Sequence, residues 1–266
     1  MVLLACLMNL LKECVMNEEV REIISTEVAI IRKSLLQKVD ELKLETLLDK
    51  WNPYLLAATC DSLDIILQSG LDAHIGSSRE CVFGKCLENI ARAVLATHDK
   101  NAKSGIAGID LDFKSGELRI LMSVKSGENW GNSNSVNGLS KSLEKAKRTI
   151  RQNDTSAVNT VLFCCYGRRK TSDKNKVADY AISGQNAWYF LSGDIDFYKK
   201  IIHEMNQKAA EFEKELEDKW DGAYIRLLEE LKILCPYGTN IWDILVERCC
   251  KNYTETDKHL QHLMGI

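Results

Sequence analysis

A chain of 266 residues, 45% hydrophobic and 27% charged, has the make-up of a soluble globular protein that can bury a full core without disulfide or metal staples. Its formal net charge of -3 excludes a generic polyanion binder, so any nucleic-acid surface must be a local basic patch. With five histidines, and ten cysteines that form no C-x-x-C pair, no zinc centre is expected, and the cysteines read as reduced core residues of a cytosolic protein.

Residues 1 to about 50 read as two helices. Val20, Ile23, Ile24, Val28 and Ile31, then Leu35, Leu36, Val39, Leu42 and Leu44, recur at helical spacing with charges between them. The opening MVLLACLMNLLKECV lacks a basic start and runs into Asn17-Glu18-Glu19, so it reads as the apolar edge of the first helix, not as a signal peptide. Pro53 ends this section at Trp51-Asn52, because proline disfavours helix in the residue before it. An amphipathic helix from Tyr54 to Ser69 closes at Gly70. Another runs from about Arg79 to Thr97 behind a Ser78 cap. Beyond two strands between 109 and 125 lies a lysine-rich helix from about Leu139 to Arg151. A buried strand, Val158 to Tyr166, then releases the basic loop Gly167-Arg168-Arg169-Lys170, extended by Lys174 and Lys176. Trp188 to Leu191 marks another buried segment. Phe197 to Leu234 is helical with a break at Asp221-Gly222, and Ile241 to Cys250 is the last helix. This order predicts an α/β fold, a mixed sheet core set in helical N- and C-terminal flanks. No stretch reaches the ~18 apolar residues of a membrane span, and the cytoplasm is the expected compartment.

The chemistry gathers in GIDLDFKSGELRILMSVKSGENWGNS, Gly108 to Ser133. Ile109, Leu111 and Phe113 alternate with Asp110 and Asp112, the period of a half-buried strand. Leu118 to Lys125 is the next strand, and Ser115-Gly116 or Gly116-Glu117 supplies the turn. Either turn predicts one apolar face of Ile109, Leu111, Phe113, Leu118, Ile120, Met122 and Val124. Asp110, Asp112, Ser123 and Lys125 share the other face, and the later turn sets Asp110 opposite Ser123. Carboxylates suit magnesium, which prefers oxygen ligands. A lysine beside the attacking water can position it and offset charge on a phosphate.

An acid on one strand and an acid-x-lysine on its neighbour resembles the PD-(D/E)xK nucleases, with Asp110 as the first acid and Ser123-Val124-Lys125 in the (D/E)xK position. KSGIAGIDLDF (Lys103 to Phe113) and SVKSGENWGNS (Ser123 to Ser133) are similar to the signature of the PmeII-like type II restriction endonucleases. Further similarity lies in NPYLL (52–56), FGKCLENIA (83–91), CYGRRKTSDK (165–174) and SGQNAWYFLSGD (183–194), so the resemblance spans roughly residues 50 to 215. It implies a single nuclease domain with a restriction-endonuclease-like core at 51–196, an N-terminal helical extension at 1–50 and a C-terminal helical region at 197–266. It also implies magnesium-dependent, site-specific hydrolysis of double-stranded DNA to 5′-phosphate and 3′-hydroxyl ends, by a homodimer partnered genetically by a cognate methyltransferase.

Ser123 departs from the superfamily pattern, because a hydroxyl cannot replace a carboxylate's charge at a metal. Glu88, Asp112 and Glu144 are candidates for the missing acid, with the Val124 carbonyl as a further ligand. A catalytically weak or inactive DNA-binding relative, or a structure-specific repair nuclease, stands as the alternative. Lys141, Lys145, Lys147, Arg148, Arg168, Arg169 and Lys170 are candidate phosphate contacts. Asn129, Trp130, Asn132 and Ser133 are candidate base or loop contacts. Each has a plainer reading: solvated charge on the helix, turn geometry for the asparagines, core packing for Trp130. His74, His98 and His203 have no ligand spacing.

Overall fold

A computed structural model describes residues 16, 18–97, 104–106, 108–115, 117–153, 156–173, 175–207, 209–252, 254 and 257–265. In chain order the elements are α1 (Glu18–Asp40), α2 (Leu44–Leu48), α3 (Pro53–Thr59), α4 (Leu63–Ala96), β1 (Leu111–Ser115), β2 (Leu118–Lys125), α5 (Ser133–Asn153), β3 (Ala157–Cys164), β4 (Tyr180–Ser183), α6 (Gly184–Ser192), α7 (Phe197–Asn206), α8 (Ala209–Leu234), α9 (Ile241–Cys250) and α10 (Lys258–Met264). They form two compact units, each drawn from two stretches of chain. The first takes the described residues up to Lys33 and Glu80–Ala209; the second takes Ser34–Arg79 and the residues from Ala210 onward.

The first unit is built on a four-stranded sheet in the order β1-β2-β3-β4. Strand β1 is antiparallel to β2, whereas β2, β3 and β4 run parallel. One face carries Leu111, Phe113, Ile120, Met122, Val124, Val161 and Phe163. It packs with Val20 and Ile24 of α1, Ile90 and Val94 of α4, Trp188 of α6 and Phe197 of α7. The opposite face presents Leu121, Val158 and Leu162 to Leu143, Ala146 and Ile150 of α5. Both faces are therefore buried, as parallel strands require. This is the mixed α/β core with helical flanks that the order of elements predicts.

The second unit is helical. Its core joins Leu47 and Leu48 of α2, Trp51, Leu56 of α3, Ile66, Leu67 and Leu71 of α4, Leu227 and Leu231 of α8, and Leu245 of α9. Asn52 caps α3, accepting the N–H groups of Tyr54 and Leu55 at 3.1 Å each, and Pro53 takes the first helical position, where it has no hydrogen bond to lose.

Several boundaries differ from the pattern-based expectation. The predicted break between Ser69 and Arg79 is absent, because α4 runs unbroken through Gly70, Gly76, Ser77 and Ser78. Gly70 is a seat for an indole: a Cβ there would lie 2.0 Å from Trp51 Nε1. Helix α3 is separate, ending at Thr59. The segment Trp188 to Leu191 is helical and follows an unforeseen short strand, β4. The break in the long C-terminal pattern falls between Asn206 and Ala209, and α8 passes through Gly222 without interruption. Helix α10 follows the helix expected to be last. The opening apolar stretch to Val15, and also His98, Lys103, Gly116 and Lys174, lie outside the described residues. Among those described, no helix is long and apolar enough to cross a membrane.

Gly70 and Gly76 lie on one helix in opposite surroundings, since a Cβ at Gly76 would meet nothing within 4 Å. Gly76→Ala is expected to stabilise the protein by up to about 1 kcal/mol through helix propensity. Gly70→Ala is expected to destabilise it by about 2 kcal/mol, because the rigid Trp51 ring must move. Urea unfolding of the two variants checks the opposite signs.

Candidate active site

Pairing of Ser115 with Leu118 gives the register of the later of the two expected turns. The same register carried one step beyond β1 sets Asp110 opposite Ser123, and Asp110 N–H donates to the Met122 carbonyl at 3.0 Å. Ile109 does not join the apolar face assigned to it. A turn closed by Ile109 N–H on the Ile106 carbonyl and a bend at Asp110 precede β1, and Ile109 packs in the cluster under α5. Nor is the face of Ser123 a solvated one: α5 covers the sheet there, and Ser123 is wholly buried.

Asp110 is held by one oxygen. Its Oδ2 accepts the Val124 N–H at 2.7 Å and the Ser123 hydroxyl at 3.1 Å. Main-chain groups alternate along a strand, and Lys125 turns its carbonyl to β3, accepting Cys165 N–H at 2.9 Å. The carbonyl of Val124 therefore turns to the β1 side, like its N–H, toward the edge where Asp110 sits. Asp110 Oδ1 and that carbonyl form a pair of hard oxygen donors. Lys125 lies two residues beyond Ser123 on the same face of β2. Its Nζ stands 5.3 Å from the ring centroid of Trp130, close enough for a cation–π contact. Trp130 thus packs at the edge of the α5 cluster and also braces the lysine.

The other acids are differently placed. Asp112 gives both oxygens to Arg119, at 2.9 and 2.8 Å. Glu88, on α4, receives Lys85 at 2.6 Å and Arg92 at 2.5 Å, both on Oε1. Glu144 is exposed on α5. No three Asp, Glu, His or Cys side chains gather into a metal-type cluster among the described residues. The described cysteines are free thiols, and burial pushes Cys86 up to about 12 and Cys164 up to about 11.

Among the basic residues, Lys141, Lys145, Arg148, Arg168, Arg169 and Lys170 are exposed. Lys147 is not, and its assignment as a phosphate contact is corrected. It is buried and donates to both oxygens of Asp179, which also accepts the Thr160 N–H at 2.8 Å and the Thr160 hydroxyl at 3.0 Å. Asn132 caps α5, which starts at Ser133, six residues before the predicted start: its Oδ1 accepts the Ser135 N–H at 3.0 Å. Asn129 is exposed and accepts from Arg169 at 3.4 Å.

One participant carries no sequence signal. Glu128, three residues past Lys125, accepts the Arg169 N–H at 2.7 Å and pairs with the Arg169 guanidinium at 3.3 Å. Only the fold brings its partners near.

The family model for type II restriction endonuclease EcoO109I matches residues 18–213. The chain belongs to that family. It is thereby a restriction endonuclease by kinship, a hydrolase acting on DNA, and its mixed sheet with helical flanks is a restriction-endonuclease-like fold. No curated protein matches the chain.

The Asp179 network has a pH signature. Burial raises this carboxyl, but the Lys147 ammonium and the Thr160 N–H and hydroxyl outweigh burial and hold it below the ordinary carboxylate range. Its stabilising contribution is therefore complete above the unfolded value of about 3.9 and is lost as the pH falls through the lower folded value. Asp179→Asn is expected to lose roughly 2 kcal/mol at pH 7 and to show a shallower fall in stability on acidification. Urea midpoints between pH 7 and 3 check both.

Proposed function

We propose that the chain is a magnesium-dependent, site-specific endonuclease of a restriction-modification system, of the PmeII-like kind. It hydrolyses duplex DNA to 5′-phosphate and 3′-hydroxyl ends. The observation that carries this reading is the Asp110 carboxylate, fixed by Val124 N–H and Ser123 at the mouth of the β1-β2 hairpin, with Lys125 on the same face of β2. The family match and the ordered motifs support it. Palindromic sites favour a two-fold homodimer, and a cognate methyltransferase and a cytoplasmic setting go with the same reading.

The donor set fits magnesium, which keeps several waters and takes one or two carboxylates. Asp110 Oδ1 and the Val124 carbonyl would hold it. Glu88 is the second acid in this proposal, since its ion pairs fall on Oε1, whereas Asp112 gives both oxygens to Arg119. When bound, the ion polarises a phosphoryl oxygen and acidifies a coordinated water. Lys125, steadied by Trp130, orients the water that attacks phosphorus in line and offsets the charge that develops on the phosphate. The bond to the 3′ oxygen breaks, and that oxygen leaves with a proton as the 3′-hydroxyl. Ser123 holds no metal in this scheme; it donates to Asp110 and keeps the carboxylate aimed. Exposed Lys141, Lys145, Arg168, Arg169 and Lys170 meet phosphates, and Asn129 is the amide offered to base edges.

Plasmid digestion with and without magnesium is the test. Discrete fragments are expected only with the ion, and sequencing their ends should give one site. Lys125→Ala and Asp110→Asn are each expected to reduce cleavage by roughly 10³-fold. Ser123→Ala retains the Val124 N–H on Asp110 and is expected to lower it no more than about tenfold. A wild type that binds duplex DNA and never cuts would make the chain a DNA-binding relative that lost catalysis with its carboxylate at position 123.

A further inference from the structure

We infer that Glu128 is a positioning residue, a carboxylate that fastens the basic loop Arg168-Arg169-Lys170 beside the catalytic lysine and thereby sets the protein's grip on the phosphate backbone. The inference rests on the DNA-cleavage reading above and adds to it a residue that no motif marks.

Strands β2, β3 and β4 are parallel and end in one row, Lys125 beside Cys164 and Cys164 beside Ser183. The loops leaving that row are tied together. Glu128 comes from the loop after β2. From the loop after β3 it accepts the Arg169 N–H at 2.7 Å and pairs with the Arg169 guanidinium at 3.3 Å. Burial raises the Glu128 carboxyl, but the Arg169 N–H, the Ser183 hydroxyl, the Arg169 guanidinium and the Arg168 N–H outweigh burial and lower it. Ser183 is the residue before α6 and does not cap that helix with its side chain.

Close backbone approach at three glycines goes with this arrangement. Gly167 has φ +138°, and a Cβ there would lie 2.2 Å from the Glu128 carboxyl carbon. Gly184 has φ +55°, and its Cβ would lie 2.4 Å from the Gly167 carbonyl oxygen. A Cβ on Gly127 would lie 2.4 Å from the Tyr166 ring. Three glycines, one in each loop, let the backbones close around one carboxylate. The main chain supports the same alignment, with Cys165 N–H on the Lys125 carbonyl and Tyr166 N–H on the Ser126 carbonyl, each at 2.9 Å. The outcome is a basic loop whose backbone is fixed to the segment that starts at Lys125, with exposed cationic side chains.

Phosphate contacts are counted by the salt dependence of binding, where each contributes about 0.9 to the slope of log K against log salt. A labelled mixed-sequence DNA duplex, without divalent metal, is titrated with the wild type, with Glu128→Ala, with the triple variant Arg168→Ala/Arg169→Ala/Lys170→Ala, and with the two combined. Glu128→Ala is expected to lower the slope by about 2, the triple variant by a similar amount, and the combination by no more than the triple alone. Gly167→Ala, which expels the carboxylate by contact, is expected to behave like Glu128→Ala. Should Glu128→Ala not fold, Glu128→Gln carries the same comparison, with amide exchange at Arg168 and Arg169 reporting release of the loop. A Glu128 variant that folds, keeps the wild-type slope and leaves the triple variant's loss intact overturns the inference. So does loss of cleavage with the slope unchanged, the mark of a metal ligand. A wild type with no salt-dependent affinity for DNA sinks the functional reading itself, a result distinct from either.

Discussion

Everything at the candidate site depends on where β1 begins. Leu111 is its first residue, so the N–H of Val124, near the end of β2, faces an edge with no strand backbone to receive it. A buried N–H left without an acceptor is unfavourable by roughly 1–3 kcal/mol, and the Asp110 carboxylate removes that penalty. The acid is thus positioned by the completion of a sheet rather than by a loop. One oxygen is committed to the fold by two hydrogen bonds, from the Val124 N–H and the Ser123 hydroxyl.

Ser123 makes sense in the same frame. It is wholly buried beneath α5 and donates to the oxygen that Val124 already holds. A carboxylate in its place would stand against Asp110, and two like charges in contact disfavour ionisation of both unless a cation intervenes. The serine keeps a second charge off Asp110. Arg119 takes both oxygens of Asp112, whereas Lys85 and Arg92 both pair with Oε1 of Glu88.

Much of this was legible in the chain. The period-two alternation of Leu111 to Phe113 and Leu118 to Val124 defined the hairpin and its apolar face, and the two-residue turn set Asp110 against Ser123 because register fixes face. Ile109 broke the pattern since a bend precedes the strand, and a bend has no period. Gly70 was read as a stop signal because glycine weakens helices; the Trp51 ring that needs the space lies nineteen residues away in sequence, beyond any local window. Lys147 looked like its neighbours Lys145 and Arg148, and only its turn of α5, directed to Asp179 and Thr160, separates it from them. Glu128 was illegible for a related reason: its partner is Arg169, and parallel pairing of β2 with β3 is what brings the two loops together.

The division of the chain into units bears on how it is made. Each unit draws on two separated stretches, the first completed at Ala209 and the second dependent on residues beyond it. During synthesis the residues of the sheet-bearing unit are all available while the helices of the other still lack α8 and α9. The core that Leu47, Leu48 and Trp51 begin is completed only when the ribosome delivers Leu227, Leu231 and Leu245. No single cut in the chain yields either unit by itself.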